Sequence, residues 1–79
     1  MKDEFMEALK KFEQTAGPER ARAINDRFEE RKRVIMEDNE YLLQWLPERK
    51  RNVTMMTLLQ KTYEELMKEM EDTEGQAQG

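Results

Sequence analysis

The chain of 79 residues contains no cysteine, no histidine and no serine. Without cysteine, no disulfide or thiolate metal site can brace a small core, so packing alone must hold it. The other two absences remove the usual hydroxyl nucleophile, the general base that titrates near neutral pH and the commonest metal ligand. Carboxylate pairs such as Glu64 with Glu65 or Glu69 remain. Acid and base work by such a pair needs a cleft that drives the two pKa values apart, which a domain of two or three helices rarely offers. The expectation is a protein that is not an enzyme, with no cofactor and no metal.

Glycine and proline are scarce, at 3 and 2 residues. The glycines are scattered and build no phosphate-cradling loop. Asp72, Glu74 and Gly75 lack the ligand spacing and terminal glutamate of a calcium loop, and read as a solvated helix end. No stretch approaches the roughly 18 apolar residues of a membrane span, and Met1 to Phe5 hold no apolar run of the signal-peptide kind. These features lead us to expect a soluble, cytoplasmic protein that does not engage a membrane.

Charge is what the chain has most of, at 41% of residues against 37% hydrophobic, with a mean hydropathy of -1.09. A chain this short buries only a little over ~60% of the surface of its unfolded form, so its few apolar residues must fall into stripes. Phe5, Ala8, Leu9, Phe12 and Ala16 do so, at i, i+3, i+4, i+7 and i+11, which predicts a helix over about 2–16. Gly17 and Pro18 end it. Glycine is an acceptable N-cap and proline costs nothing at a first helical position, so the same pair opens a second helix, with Glu19 favourable at its positive end.

In that second helix Ala21, Ile24, Phe28, Ile35, Leu42 and Trp45 keep a seven-residue rhythm, with Arg31 and Asp38 at two positions where apolar residues are expected. It is predicted to run unbroken over 18–46, about 43 Å at 1.5 Å per residue, until Pro47 stops it. A third helix over about 49–72 buries Val53, Met56, Leu59, Tyr63, Leu66, Met67 and Met70, its start being the hardest boundary to place. Thr73 to Gly79 has nothing to bury and is expected to be a disordered tail. The triplet Pro-Glu-Arg occurs at 18–20 and 47–49, which two helices opening with proline and a first-turn glutamate explain without duplication.

The formal charge of -4 is distributed in blocks: mostly basic over 20–33, acidic over 37–40, basic over 49–51, and acidic over 64–74. Both later helices thus run from basic to acidic, against the preference of the helix dipole. An antiparallel hairpin about Pro47 resolves this. It sets Glu37 to Glu40 beside Arg49 to Arg51, and Arg20 and Arg22 near Asp72 and Glu74. Residues equidistant from the turn then match: Ile24 with Met70, Phe28 with Leu66, Ile35 with Leu59, Leu42 with Val53. The fold class is all-α, an antiparallel hairpin with a short N-terminal helix in a single domain over 1–72, dimerising into a helical bundle.

The first helix is half as long as the second and covers only its proximal half. At the distal half Tyr41, Leu42, Leu43, Trp45 and Leu46 face Met55, Met56, Leu58 and Leu59, more apolar residues than one face can bury. Trp, Tyr and Met are enriched in interface cores. The candidate interface is therefore Tyr41, Leu42, Trp45, Leu46, Met55, Met56 and Leu59, serving self-association into a homodimer and binding to a partner protein whose identity the residues do not disclose. The alternative is a small nucleic-acid-binding regulator that uses Arg20, Arg22, Arg27, Arg31, Lys32 and Arg33 with Arg49, Lys50 and Arg51, or an acidic partner met by the same residues. Arg20, Arg27 and Arg31 border the apolar seam, however, where interhelical ion pairs form.

Overall fold

A computed structural model describes the backbone of residues 2–78 and the side chains of residues 2–74. The protein is all-α, 93% helical and without strands among the described residues. Its elements are α1 (Lys2–Ala16), α2 (Pro18–Asp38), α3 (Glu40–Gln44) and α4 (Glu48–Gln78). No helix among these residues is long and apolar enough to cross a membrane.

Three aromatic rings, one from each long helix, fix how the helices run. Phe5 of α1, Phe28 of α2 and Tyr63 of α4 lie with centroids 5.1 to 5.3 Å apart. Phe5 and Phe28 are almost equidistant from Gly17, so α1 doubles back along α2. Thr15 of α1 donates to Glu74 of α4 at 3.1 Å, about as far beyond Phe5 as Glu74 is beyond Tyr63, so α1 and α4 run parallel. The pairs Arg27 with Glu69 and Arg31 with Glu65 step forward along α2 and back along α4, so those two are antiparallel.

The core is what the apolar spacing of α1 implies. Phe5 and Phe12 are buried, and Ala8, Leu9 and Ala16 pack beside them. Ala21, Ile24 and Phe28 close it from α2, and Leu59, Tyr63, Leu66 and Met70 from α4, again at helical spacing. Burial, and then the charge of Glu29, push the Tyr63 hydroxyl above its ordinary pKa, so the phenol stays neutral in the core.

Gly17 makes the α1 to α2 turn. Its N–H donates to Glu13 at 3.1 Å, closing α1, and its carbonyl accepts from Ala21 at 3.2 Å, opening α2 with Pro18 at the first position. It does both at φ 101 and ψ 158, a conformation open essentially to glycine alone. A Cβ there would meet nothing within 4 Å, so the penalty of a side chain is backbone strain only. Gly17→Ala is expected to destabilise the protein by about 1 to 3 kcal/mol, read as a lower urea midpoint at unchanged slope. An unchanged midpoint would mean that the turn relaxes.

Two expectations about element boundaries are corrected. The second helix does not run unbroken over 18–46: it stops at Asp38, and Asn39 separates α2 from α3. The final helix does not end at Asp72. α4 continues through Thr73, which is half-buried and donates to the Glu69 carbonyl at 2.9 Å, and through Glu74, which Thr15 holds. Of the tail expected to be disordered, Thr73 to Gln78 are helical and Gly79 lies outside the described residues.

The result is a rod of 48 × 18 × 17 Å. Its radius of gyration of 14.4 Å exceeds the ~12 Å of a compact domain of this length. Its accessible surface of 6319 Å² exceeds the ~5,100 Å² of a compact monomer of this mass. The cause is the length of α1. Fifteen residues reach about 22 Å while the 31 of α4 reach about 46 Å, so one end of the rod has three helices and the other lacks the cover of α1.

Candidate binding surface

The uncovered end is built by two local interruptions. At Asn39 the Ile35 carbonyl accepts both the backbone N–H, at 3.1 Å, and the side-chain Nδ2, at 2.8 Å. This side-chain competition for a ladder acceptor is why Asn weakens helix interiors. Asn39 sits at φ -115, ψ 14, and the ladder resumes with Leu43 donating to its carbonyl at 2.9 Å. Then α3 tightens to i→i+3 bonds, Trp45 to Leu42 and Leu46 to Leu43, both 3.2 Å. Pro47 supplies no N–H and pushes Leu46 off the helical conformation. Its carbonyl accepts from Arg51 at 2.8 Å and so opens α4.

Around this turn the apolar stripes stop meeting. Ile35 is half-buried and Leu59 is buried, but Leu42 and Val53, equidistant from the turn, are both exposed, at 51% and 60%. Trp45 is 71% exposed and Tyr41 76%. Their rings touch edge to face with centroids 6.3 Å apart, a pair displayed on the surface. Met56, one turn beyond Val53 on α4, is 53% exposed.

Of the seven residues expected to form an interface, Tyr41, Leu42, Trp45 and Met56 are thus exposed, and Leu46 and Met55 are half-buried. Leu59 belongs to the core, 5% exposed, in the cluster that Phe5, Phe28 and Tyr63 anchor. Leu43, grouped with the patch from its position, is buried. Val53, assigned to the buried side of the last helix, belongs to the exposed patch instead.

The basic residues are dispersed by pairing. Arg27 meets Glu69, Arg31 meets Glu65 at 3.4 Å, and Arg33 is held between Glu30 and Glu37 at 2.6 and 2.7 Å. Hydrogen bonding to Arg33, then its charge, holds the Glu30 carboxyl below its ordinary range. Arg31, at a position where the rhythm expects an apolar residue, reaches outward to its carboxylate as long basic side chains do. A shallow cleft of about 310 Å³ beside α2 is lined by Phe12, Arg20, Ile24, Arg27, Glu69 and Thr73, so Glu69 sits among its two arginines.

The remaining candidates, Arg20, Arg22, Lys32, Arg49, Lys50 and Arg51, carry no ion pair among the described residues, and they are spread along the rod, Arg20 and Arg22 at one end, Lys32 near the middle and Arg49 to Arg51 at the other end. The blocks at 37–40 and 49–51 do not pair with each other, nor Arg20 and Arg22 with Asp72 and Glu74, among the described residues. The interruption at Asn39 and the tight turn intervene in the first case. Arg51 donates to the Leu46 carbonyl at 3.2 Å instead.

Fold and surface together define a small, elongated all-helical protein with an apolar patch at one end. No family model, curated protein or solved structure matches the chain.

Proposed function

We propose that this chain is a non-catalytic protein-protein interaction module, an adaptor, inhibitor or assembly factor, which occupies a surface on a partner protein and works as a homodimer whose hairpins join into a helical bundle. The observation that supports the reading is the exposed pair Tyr41 and Trp45, continued by Leu42, Val53 and Met56. Summed over the two elements, these five residues expose on the order of 600 Å² toward one end of the rod, against the ~800 Å² each partner contributes to a standard interface. Exposed Trp and Tyr are also the residues that contribute most when covered, because they bring large rigid area at small entropic cost.

Replacing Trp45 by glutamate tests the reading, since the protein should stay folded and lose association. The alternative, a nucleic-acid regulator, has less support, because Arg27, Arg31 and Arg33 already serve carboxylates. A chain with its unpaired cations scattered along the rod, at net charge -4, is expected to give no mobility shift with a plain duplex even at low salt. A shift that weakens steeply with added salt would favour the alternative.

A further inference from the structure

We infer that the occupant of the apolar patch is a second copy of this chain, laid tip to tip and antiparallel, with the acidic side chains Asp38 and Glu40 of each copy facing Arg49 and Lys50 of the other. The inference rests on the reading of Tyr41 and Trp45 as an interface and specifies what covers them.

The argument is the order of chemistry along the tip. On the outgoing elements, Asp38 and Glu40 come first, then Tyr41, Leu42 and Trp45. On the returning one, the acidic Glu48 opens the helix and Arg49 and Lys50 follow, with Arg49, Val53 and Met56 at i, i+4 and i+7 and therefore on one face. Measured from the turn, Glu48 and then Arg49, Lys50 and Arg51 lie at its end, which is therefore basic in net charge. The acidic ones lie seven to nine residues from Pro47, about 10 to 14 Å inward, with the exposed apolar side chains mostly between them. From base to end the tip therefore reads acid, apolar, base.

An isologous interface requires a surface that is complementary to itself after a two-fold rotation. A sequence of acid, apolar, base satisfies this: rotation brings apolar onto apolar and each charge onto its opposite. The charges are available for it, because Asp38, Glu40, Arg49 and Lys50 have no ion pair among the described residues, whereas Glu37 is already held by Arg33. Two patches of this size cover about 1,200 Å², the lower edge of what a stable specific interface buries.

The arrangement also fixes a shape. Two rods of 48 Å overlapping by roughly 16 Å give a particle about 80 Å long, with the three-helix ends outermost. A side-by-side dimer would keep the length of one rod.

A charge-swap experiment on the full chain tests this. One variant carries Arg49→Glu with Lys50→Glu, the other Asp38→Lys with Glu40→Lys. All four positions are exposed, and circular dichroism and thermal melting verify folding. Each variant alone sets like charge against like at both contacts and is expected to weaken self-association by about 100-fold or more, read by light scattering and sedimentation. Mixed in equal amounts, the two restore opposite charges at both contacts and form a heterodimer of wild-type mass, which small-angle scattering should measure at about 80 Å.

Variants that still dimerise alone, a mixture that stays monomeric, or a dimer no longer than one rod would each overturn the inference. So would a wild-type chain that is monomeric at millimolar concentration. If the charge swaps leave a dimer intact while Trp45→Glu dissociates it, this inference fails and the apolar patch survives. If Trp45→Glu is also without effect on mass and on partner binding, both fail.

Discussion

Replacing Phe5 by alanine is expected to remove about half of the stability of this protein. The side chain has no exposed surface, contacts both other rings of the aromatic cluster, and sits at the point where all three long helices meet. Truncating a buried phenylalanine costs about 3 to 5 kcal/mol, from lost transfer energy and from the cavity left behind. A chain of this length has on the order of 4 to 12 kcal/mol in total. A melting temperature lowered by about 15 to 30 °C is the expected result in a circular dichroism melt. Phe5→Leu, which keeps most of the volume, should recover more than half of the loss. A cost below about 1 kcal/mol would mean that α1 is not packed on α2 and α4 in solution.

The second large effect is of the opposite kind. Trp45→Glu alters a side chain that is 71% exposed and touches chiefly Tyr41, so the melting temperature should move little. Association should change greatly. A central aromatic in an interface contributes about 2 kcal/mol or more, and a carboxylate buried in its place adds a desolvation cost, so a weakening of at least about 30-fold is expected. Light scattering across a concentration series reads the effect as a shift of the dimer toward monomer mass. A folded variant of unchanged mass, with partner binding intact, would remove Trp45 from any interface. Together the two substitutions separate the ends of the rod: one end carries stability, the other is proposed to carry binding.

Much of this architecture is legible in particular residues. The stripe from Phe5 to Ala16 names the buried side of α1. The pair Gly17 and Pro18 names the turn, since one permits the positive φ and the other starts a helix without losing a bond. The matched positions of Ile24 with Met70 and Phe28 with Leu66 share one core cluster, and of the arginines bordering the seam Arg27 and Arg31 meet carboxylates of α4 while Arg20 does not. Asn39 was harder to read. Its neighbours on both sides are compatible with helix, and the break arises from one amide finding the Ile35 carbonyl, a competition that spacing does not display. The continuation of α4 past Asp72 was hidden for a similar reason, because Thr73 and Glu74 are held by side-chain bonds to Glu69 and Thr15.

For the candidate surface, composition and spacing indicated the distal half of the rod and the residues Tyr41, Leu42, Trp45 and Met56. They did not separate Leu59 from Met56, or Val53 from Leu66, which recur on α4 at the same helical period. Periodicity assigns a side to a residue, whereas burial depends on whether another helix stands opposite at that height. The sequence by itself determined an all-helical chain, the buried stripe of its first helix and the place of its first turn, because these depend on local geometry and on apolar spacing. Only the tertiary structure decided where core becomes surface, because that boundary is set by how far the 15 residues of α1 reach along a partner of 31.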